Sequence, residues 1–317
     1  MVDSVTLDGL DRRLIHALQI DGRASFSRIA GVLGASERTL ARRYHRLRSA
    51  LAVRVVGLVD SPRIGMLDWF VRIDCAPDAV DPLTAALARR DDTSWIAPLA
   101  GGTRLTCMVR TPVTGTEGGR ALFGHLLRTP GVRDVEAGCL LRPVAGVGGW
   151  AGRTSALDAA ERAALLGPEE EPRGQAERPP EGPTGAFGWG EADARLAGEL
   201  ARDGGVLHFE VDVDPSCLGY PVEALLWLEV APAALDEVTR ALSQHTAVAF
   251  AAVTTGRASV FAMVQCRNAG ALYDYLTGEL GALPGIGRME TALVLRRAKR
   301  AGPLLLPGPV DRSERRP

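Results

Sequence analysis

The chain has 317 residues, 46% hydrophobic and 24% charged, with a formal net charge of −1. That length suits two or three domains, and the balance is globular, which excludes collagen-like, wholly disordered and disulfide-scaffold proteins. The charge is uneven: residues 1–65 hold 11 Arg against 6 Asp or Glu on a chain that is otherwise acidic, the asymmetry of a nucleic-acid-binding module. No apolar run reaches the roughly 18 residues of a membrane span. The opening MVDSVTLDGLDRR lacks the basic-then-apolar order of a signal peptide, so a cytoplasmic chain is expected. Cys75, Cys107, Cys139, Cys217 and Cys266 are scattered without a CxxC pair and read as buried free thiols.

Three short helices open the chain. Leu10, Leu14, Ala17 and Leu18 share one face of the first. Asp8 or Asp11 can cap it, and Asp21-Gly22 ends it. Phe26, Ile29, Ala30 and Leu33 face inward on the second, and Gly34-Ala35 makes a tight turn. Ser36 caps the third, which buries Leu40, Tyr44 and Leu47 and carries Arg38, Arg42, Arg43 and Arg46 on its other face. This is a helix-turn-helix.

Residues 53–59 read as a strand. Strands at 69–74, 94–99, 104–110 and 132–142, with helices at 78–90 and 117–127, then follow the ferredoxin-like βαββαβ order. Five prolines and the run Glu169-Glu170-Glu171 mark 144–190 as a linker in which 155–166 could form one helix. After it the βαββαβ pattern returns from 224 to 295. Ala76-Pro77 matches Ala231-Pro232 at an offset of 155, and Gly102 matches Gly256 and Pro130-Gly131 matches Pro284-Gly285 at 154. Three landmarks at a near-constant offset indicate an internal duplication. Residues 192–202 resemble the first helix and 206–213 the strand at 53–59, with only Asp203-Gly204-Gly205 between them.

The expected organisation is a helix-turn-helix over 1–52, a first ferredoxin-like domain over 53–143 and a linker over 144–190. A remnant of a second helix-turn-helix follows over 191–205, then a second ferredoxin-like domain over 206–300 and a flexible tail over 301–317. The fold class is α+β, a winged-type helix-turn-helix followed by two ferredoxin-like domains.

This order resembles the Lrp/AsnC family of transcription regulators, over 7–143 and 191–297. The resemblance is carried by Leu7-Asp8, Asp11, Leu18, Asp21-Gly22-Arg23-Ala24-Ser25, Ile29-Ala30, Ser36, Arg42-Arg43, Leu47 and Gly65. Thr39 stands where a capping box would place an acid or glutamine. The tandem repeat is a further departure, since the common member has a single copy. The family implies double-stranded DNA as a partner. Arg38, Thr39 and Arg42 are expected to read bases, and Arg43, Arg46, Ser25 and Ser36 to hold phosphates. It also implies a small effector, typically an amino acid, near the turn between the second and third strands of each copy. Here those turns offer Gly101, Gly102 and Thr103, and Thr255, Gly256 and Arg257. Thr and Arg can hold a carboxylate, and glycine admits close approach.

Two copies could cover each other's sheets, within one chain or between chains. One working helix-turn-helix per chain then calls for a homodimer or higher even oligomer to read a symmetric site. His16, His45, His125, His208 and His245 show no metal spacing and read mostly as surface residues. No catalytic constellation stands out, and neither cofactor nor metal is expected. Two alternatives share the build: an enzyme like the sirohaem decarboxylases, and a ligand sensor that leaves DNA alone. The row of arginines on the third helix favours DNA.

Overall fold

The computed structural model describes residues 6–22, 24–113, 123–146, 155–166 and 207–301. Helices α1 (Gly9–Ile20), α2 (Phe26–Leu33) and α3 (Glu37–Ser49) form where periodicity places them. Asp8 and Asp11 cap α1 together: each backbone N–H donates to the other's carboxylate, at 3.1 and 2.8 Å. Ser25 and Ser36 cap α2 and α3 by accepting from the Arg28 and Thr39 amides. Leu14, Ile15, Ile29, Leu40 and Leu47 are fully buried among the three helices.

Strands β1 (Val53–Val59) and β6 (Leu207–Val213) pair antiparallel as a separate two-stranded ribbon. Each was expected at the front of a ferredoxin-like domain, but the two leave those sheets and pair with each other. Ala52, Val53 and Val211 belong to the helix-turn-helix core, so this ribbon is its wing.

The other eight strands are β2 (Met66–Cys75), β3 (Thr93–Pro98), β4 (Arg104–Pro112), β5 (Val132–Ala145), β7 (Val222–Val230), β8 (Val248–Thr254), β9 (Val260–Cys266) and β10 (Ile286–Leu293). They hydrogen-bond in the order β10-β7-β9-β8-β5-β2-β4-β3. Each half repeats one antiparallel arrangement, with its own strands ordered fourth, first, third, second. The last strand of each half runs past its own sheet: β5 pairs β8, and beyond β10 Val294 bridges Leu99 and Lys299 bridges Ile96. The eight strands thus form a closed ring, which leaves neither half an open edge.

Strand parity explains the layers. Successive side chains point to opposite faces. Val71 and Ile73 of β2 pack outward with Val80, Leu83 and Leu87 of α4 (Val80–Ala88) and with Leu126 of the helical turn 123–127. Leu226 and Leu228 of β7 pack with Val238 and Leu242 of α6 (Leu235–Gln244) and Leu272 and Tyr275 of α7 (Ala269–Thr277). The intervening Phe70, Leu225 and Trp227 point the other way and meet Phe261 in a core shared by the two halves. The Phe70 and Phe261 rings stack with centroids 3.9 Å apart. Two strands separate β2 from β9 in the hydrogen-bonded order, so this contact requires the two four-stranded sheets to lie face to face. The pairing occurs within one chain.

The expected linker is part of the fold at two points. Its first residues continue β5, and its predicted helix forms as α5 (Ala159–Leu166). Helix α5 returns to the helix-turn-helix, where Leu157 and Leu165 join that core. Arg13 pairs with Glu161, and Arg28 donates to the Leu165 carbonyl. The Ala156 and Leu157 amides both donate to Nδ1 of His16, at 3.1 and 3.0 Å. The proposed remnant at 191–205 and the tail beyond 301 lie outside the described residues. No described helix is long and apolar enough to cross a membrane.

His16 is buried, which corrects its expected surface position. Burial pulls its pKa below the ordinary histidine value near 6.5, and Arg162 adds to the pull. A depressed pKa means the unfolded chain takes up the proton first, so this stability is complete above about pH 6.5 and is lost as pH falls through the folded value. Urea unfolding monitored from pH 8 to 5 should show that decline. His16→Asn, which keeps an acceptor and removes the titration, should flatten it.

Candidate nucleic-acid interface and effector cleft

Gly34 takes a left-handed conformation, φ 64°, and turns the chain from α2 into α3. The turn leaves one face of α3 in solvent. Arg38 and Arg42 are exposed on it and make no ion pair among the described residues. Thr39 is half-buried, its hydroxyl 2.8 Å from that of Ser36. Ser25 and Ser36 are exposed at the helix starts, where unpaired backbone amides and the helix dipole favour an anion.

Arg43 and Arg46 are placed differently. Arg43 donates to Asp8 at 2.5 Å and to Asp11 at 2.8 Å, and Arg46 donates to Asp11 at 2.5 Å. The Asp11 side chain is wholly buried. Arg43 holds the Asp8 carboxyl below the usual range through a direct hydrogen bond, helped by the Asp11 amide. Two acids from α1 thus neutralise two of the four arginines expected to face DNA. The paired charges sit 32 to 35 positions apart in sequence, which a face-by-face reading of α3 does not reveal. The arrangement fixes the rotation of α3 on α1 and leaves Arg38 and Arg42 to reach outward.

The two turns expected to hold an effector differ sharply. Gly101 and Gly102 form an open hairpin tip, where a Cβ on either would meet nothing within 4 Å. Beside it lies a cleft of about 410 Å³ lined by Leu99, Ala100, Thr103, Arg104 and, from β10, Thr291, Ala292 and Leu293. Thr103 lines this space, whereas Gly101 and Gly102 stand at its margin. Thr254, Thr255, Gly256 and Arg257 border a crevice of only about 30 Å³, room for water but not for a metabolite. The second turn is fastened to β5: the Thr255 amide donates to the Cys139 carbonyl at 2.9 Å and the Cys139 amide to the Thr255 hydroxyl at 2.8 Å. A Cβ at Gly138 would lie 2.8 Å from the Thr255 carbonyl oxygen, so only glycine permits this approach. The Arg72 guanidinium occupies the remaining space, 4.8 Å from the Trp227 ring centre.

An ion network joins the halves near the open cleft. Glu290 of β10 meets Arg72 and Arg104 of the first half, each at 2.8 Å. Arg104 also holds Asp74 at 2.5 Å, and Arg72 holds Glu136. Burial pushes the Glu290 carboxyl up, but Arg72 and Arg104 together hold it below its usual value. A ligand beside Arg104 therefore meets a guanidinium that is already oriented. The thiols are less available for chemistry, and burial pushes Cys107 up to about 12. Among the described residues no three His, Cys, Asp or Glu gather as metal ligands would.

Comparison with known proteins agrees with this geometry. Residues 7–48 match the AsnC-type helix-turn-helix domain and residues 223–304 the Lrp/AsnC ligand binding domain. A DNA-binding-type module joined to a ligand-binding-type sheet is the class of protein these matches define. Both matched modules are those of the Lrp/AsnC family. The chain is 25% identical over 96 residues to an uncharacterized HTH-type transcriptional regulator of Pyrococcus furiosus, covering 30% of this chain and 65% of that one. It is 26% identical over 101 residues to the HTH-type transcriptional regulator FL11 of Pyrococcus horikoshii, covering 32% and 66%. The chain thus spans just under two thirds of the length of these two relatives. A third, an uncharacterized HTH-type transcriptional regulator of Pyrococcus abyssi, is 27% identical over 138 residues, covering 43% of this chain and 87% of that one. The siroheme decarboxylase NirDL has a similar fold over 92% of this chain and 94% of its own, with a TM-score of 0.53 at 15% identity. That likeness is one of fold, and fold alone does not carry chemistry.

Asp11→Asn should lower the unfolding free energy of the helix-turn-helix by about 1–3 kcal/mol, the worth of hydrogen bonds to a charged group. Urea denaturation followed by far-UV circular dichroism measures this. An unchanged midpoint would mean that Asp11 does not anchor α3.

Proposed function

We propose that the chain is a sequence-specific transcription regulator that binds double-stranded DNA through α3 and responds to an amino acid or related small metabolite. Its two sheet halves, with their helices, are read as two ferredoxin-like effector domains paired within one chain. The observation that carries the DNA reading is the exposure of Arg38 and Arg42 on a helix whose Arg43 and Arg46 are tied to α1. Arginine can contact guanine through two hydrogen bonds in the major groove. Arg38 and Arg42, with Thr39, read bases in this proposal, and the starts of α2 and α3 at Ser25 and Ser36 hold phosphates. Arg43 and Arg46 move from the phosphate role to orienting the helix. The chain offers one such helix among its described residues, so an even oligomer, at least a homodimer, supplies the two that a symmetric operator needs.

The effector is assigned to the open cleft at Thr103 and Arg104, and the second turn to structure. An enzyme on the same build has no use for free arginines on α3. The regulator reading is therefore preferred.

Two measurements test the proposal. The protein is mixed with sheared DNA of its own genome, and the retained fragments are sequenced. A few enriched fragments are expected, with enrichment lost in Arg38→Ala/Arg42→Ala. On the best fragment Arg42→Ala alone should cost about 1–3 kcal/mol and relax preference at one base pair. Retention without preference, or unchanged in the double variant, would contradict the reading. Calorimetric titration with amino acids should give one site per chain, abolished by filling the cleft with Ala292→Trp. Two sites per chain would show that the second turn also opens.

A further inference from the structure

The cleft shares a wall with a segment that reaches the helix-turn-helix. Thr291, Ala292 and Leu293 line it, and the Ala100 amide donates to the Leu293 carbonyl at 2.8 Å. The chain then leaves the second half and crosses to the first. Along the way the Leu295 amide donates to Pro98, the Ala298 amide to Ile96, and the Ile96 amide back to Lys299, at 3.1, 2.8 and 2.9 Å. Ala298, Lys299 and Arg300 are buried. The Lys299 ammonium donates to the Arg90 carbonyl at 2.5 Å, and Arg297 pairs with Glu223 beneath the Trp95 ring. This strap is hydrogen-bonded to the first half at intervals and buried at its end.

Its end is tied to the wing. Arg300 lies 3.1 Å from Asp212 of β6 and 3.6 Å from Asp214. The Arg300 and Asp212 side chains are only 10% and 9% exposed. Asp212 faces Arg54 of β1 in the ribbon, and the Asp214 amide donates to the Ala52 carbonyl at 2.8 Å. Ala52 shares its core with Leu47 of α3. Separating a buried pair strands two charges in a poorly solvated place. A displacement of the strap therefore moves the wing with it or breaks the pair outright. The duplication supplies an internal contrast. At the 154-residue offset Arg300 corresponds to Gly146, which has no side chain to make such a tie. The strand that runs past the closed turn, β5, thus ends without the link, and the strap that runs past the open cleft, beyond β10, ends on it.

We propose that the strap 293–300 carries occupancy of the first cleft to the helix-turn-helix, with the Arg300–Asp212 pair as its last link. The proposal rests on reading that cleft as the effector site. Coupling of this kind changes a local opening equilibrium about fivefold or more.

The test uses hydrogen exchange on the full chain, with Ala292→Trp as the probe that fills the cleft. In the parent, the filled cleft should change amide exchange about fivefold or more both in the Leu99–Arg104 turn and in the ribbon 53–59 and 207–213. The same probe is then placed on Arg300→Met/Asp212→Leu, which removes both charges together and so leaves neither stranded. There the turn should still respond and the ribbon should not. A ribbon response of equal size in both backgrounds overturns the proposal. A turn that responds alone in the parent, or a turn that ignores the filled cleft, overturns it too. Exchange reads coupling without any metabolite, so failure of the effector reading in calorimetry is seen separately.

Discussion

Everything in this molecule follows from an apolar face that must be covered. A four-stranded sheet with helices on one side leaves its other side open. In each half that open side carries large side chains: Phe70 in the first, Leu225, Trp227 and Phe261 in the second. Exposed, such a face would invite association. Here the two halves cover each other, and the strands running on from each half close both edges. Duplication within one chain makes this pairing intramolecular and independent of concentration, unlike the assembly of separate chains.

Duplication also frees the halves to diverge. Arg72 and Trp227 occupy matching positions at an offset of 155, and the guanidinium of one lies over the ring of the other. In a symmetric pair both positions would carry the same residue and both turns would be open or closed alike. With one cationic and one aromatic partner, the second crevice is filled while the first stays open. The same asymmetry holds at the other end, where one strap ends in arginine and the other in glycine. The two halves thus differ at both ends, in the turn and in the strap.

Much of this was legible in sequence, and the limits are instructive. The three opening helices, their serine caps and the repeated βαββαβ order follow from periodicity and turn residues, which are local signals. Alternation along β2 and β7 carries both the outward and the inward core. What local reading misses is contact between distant segments. His16 looked like a surface histidine because the α5 segment that buries it lies about 140 positions away. Arg43 and Arg46 looked free because their acids belong to another helix. Strands β1 and β6 were recognised as similar but assigned to separate domains, whereas their likeness reflects pairing with each other. Two aspartates at the start of an otherwise basic module were the available hint of the acid anchor. For the strap, the hint was the lone Lys299 amid three arginines just beyond the last predicted strand.

The central claim is that the two halves pair within one chain, so that each chain alone completes the eight-stranded body. Mixing chains of natural and heavy nitrogen, unfolding and refolding them together, and cross-linking through carboxylates tests it directly. Cross-links between Glu136 or Asp74 and Glu290 should then join peptides of the same isotope only. Mixed-isotope links at these positions, in proportion to random pairing, would show that the halves exchange between chains and would contradict the account.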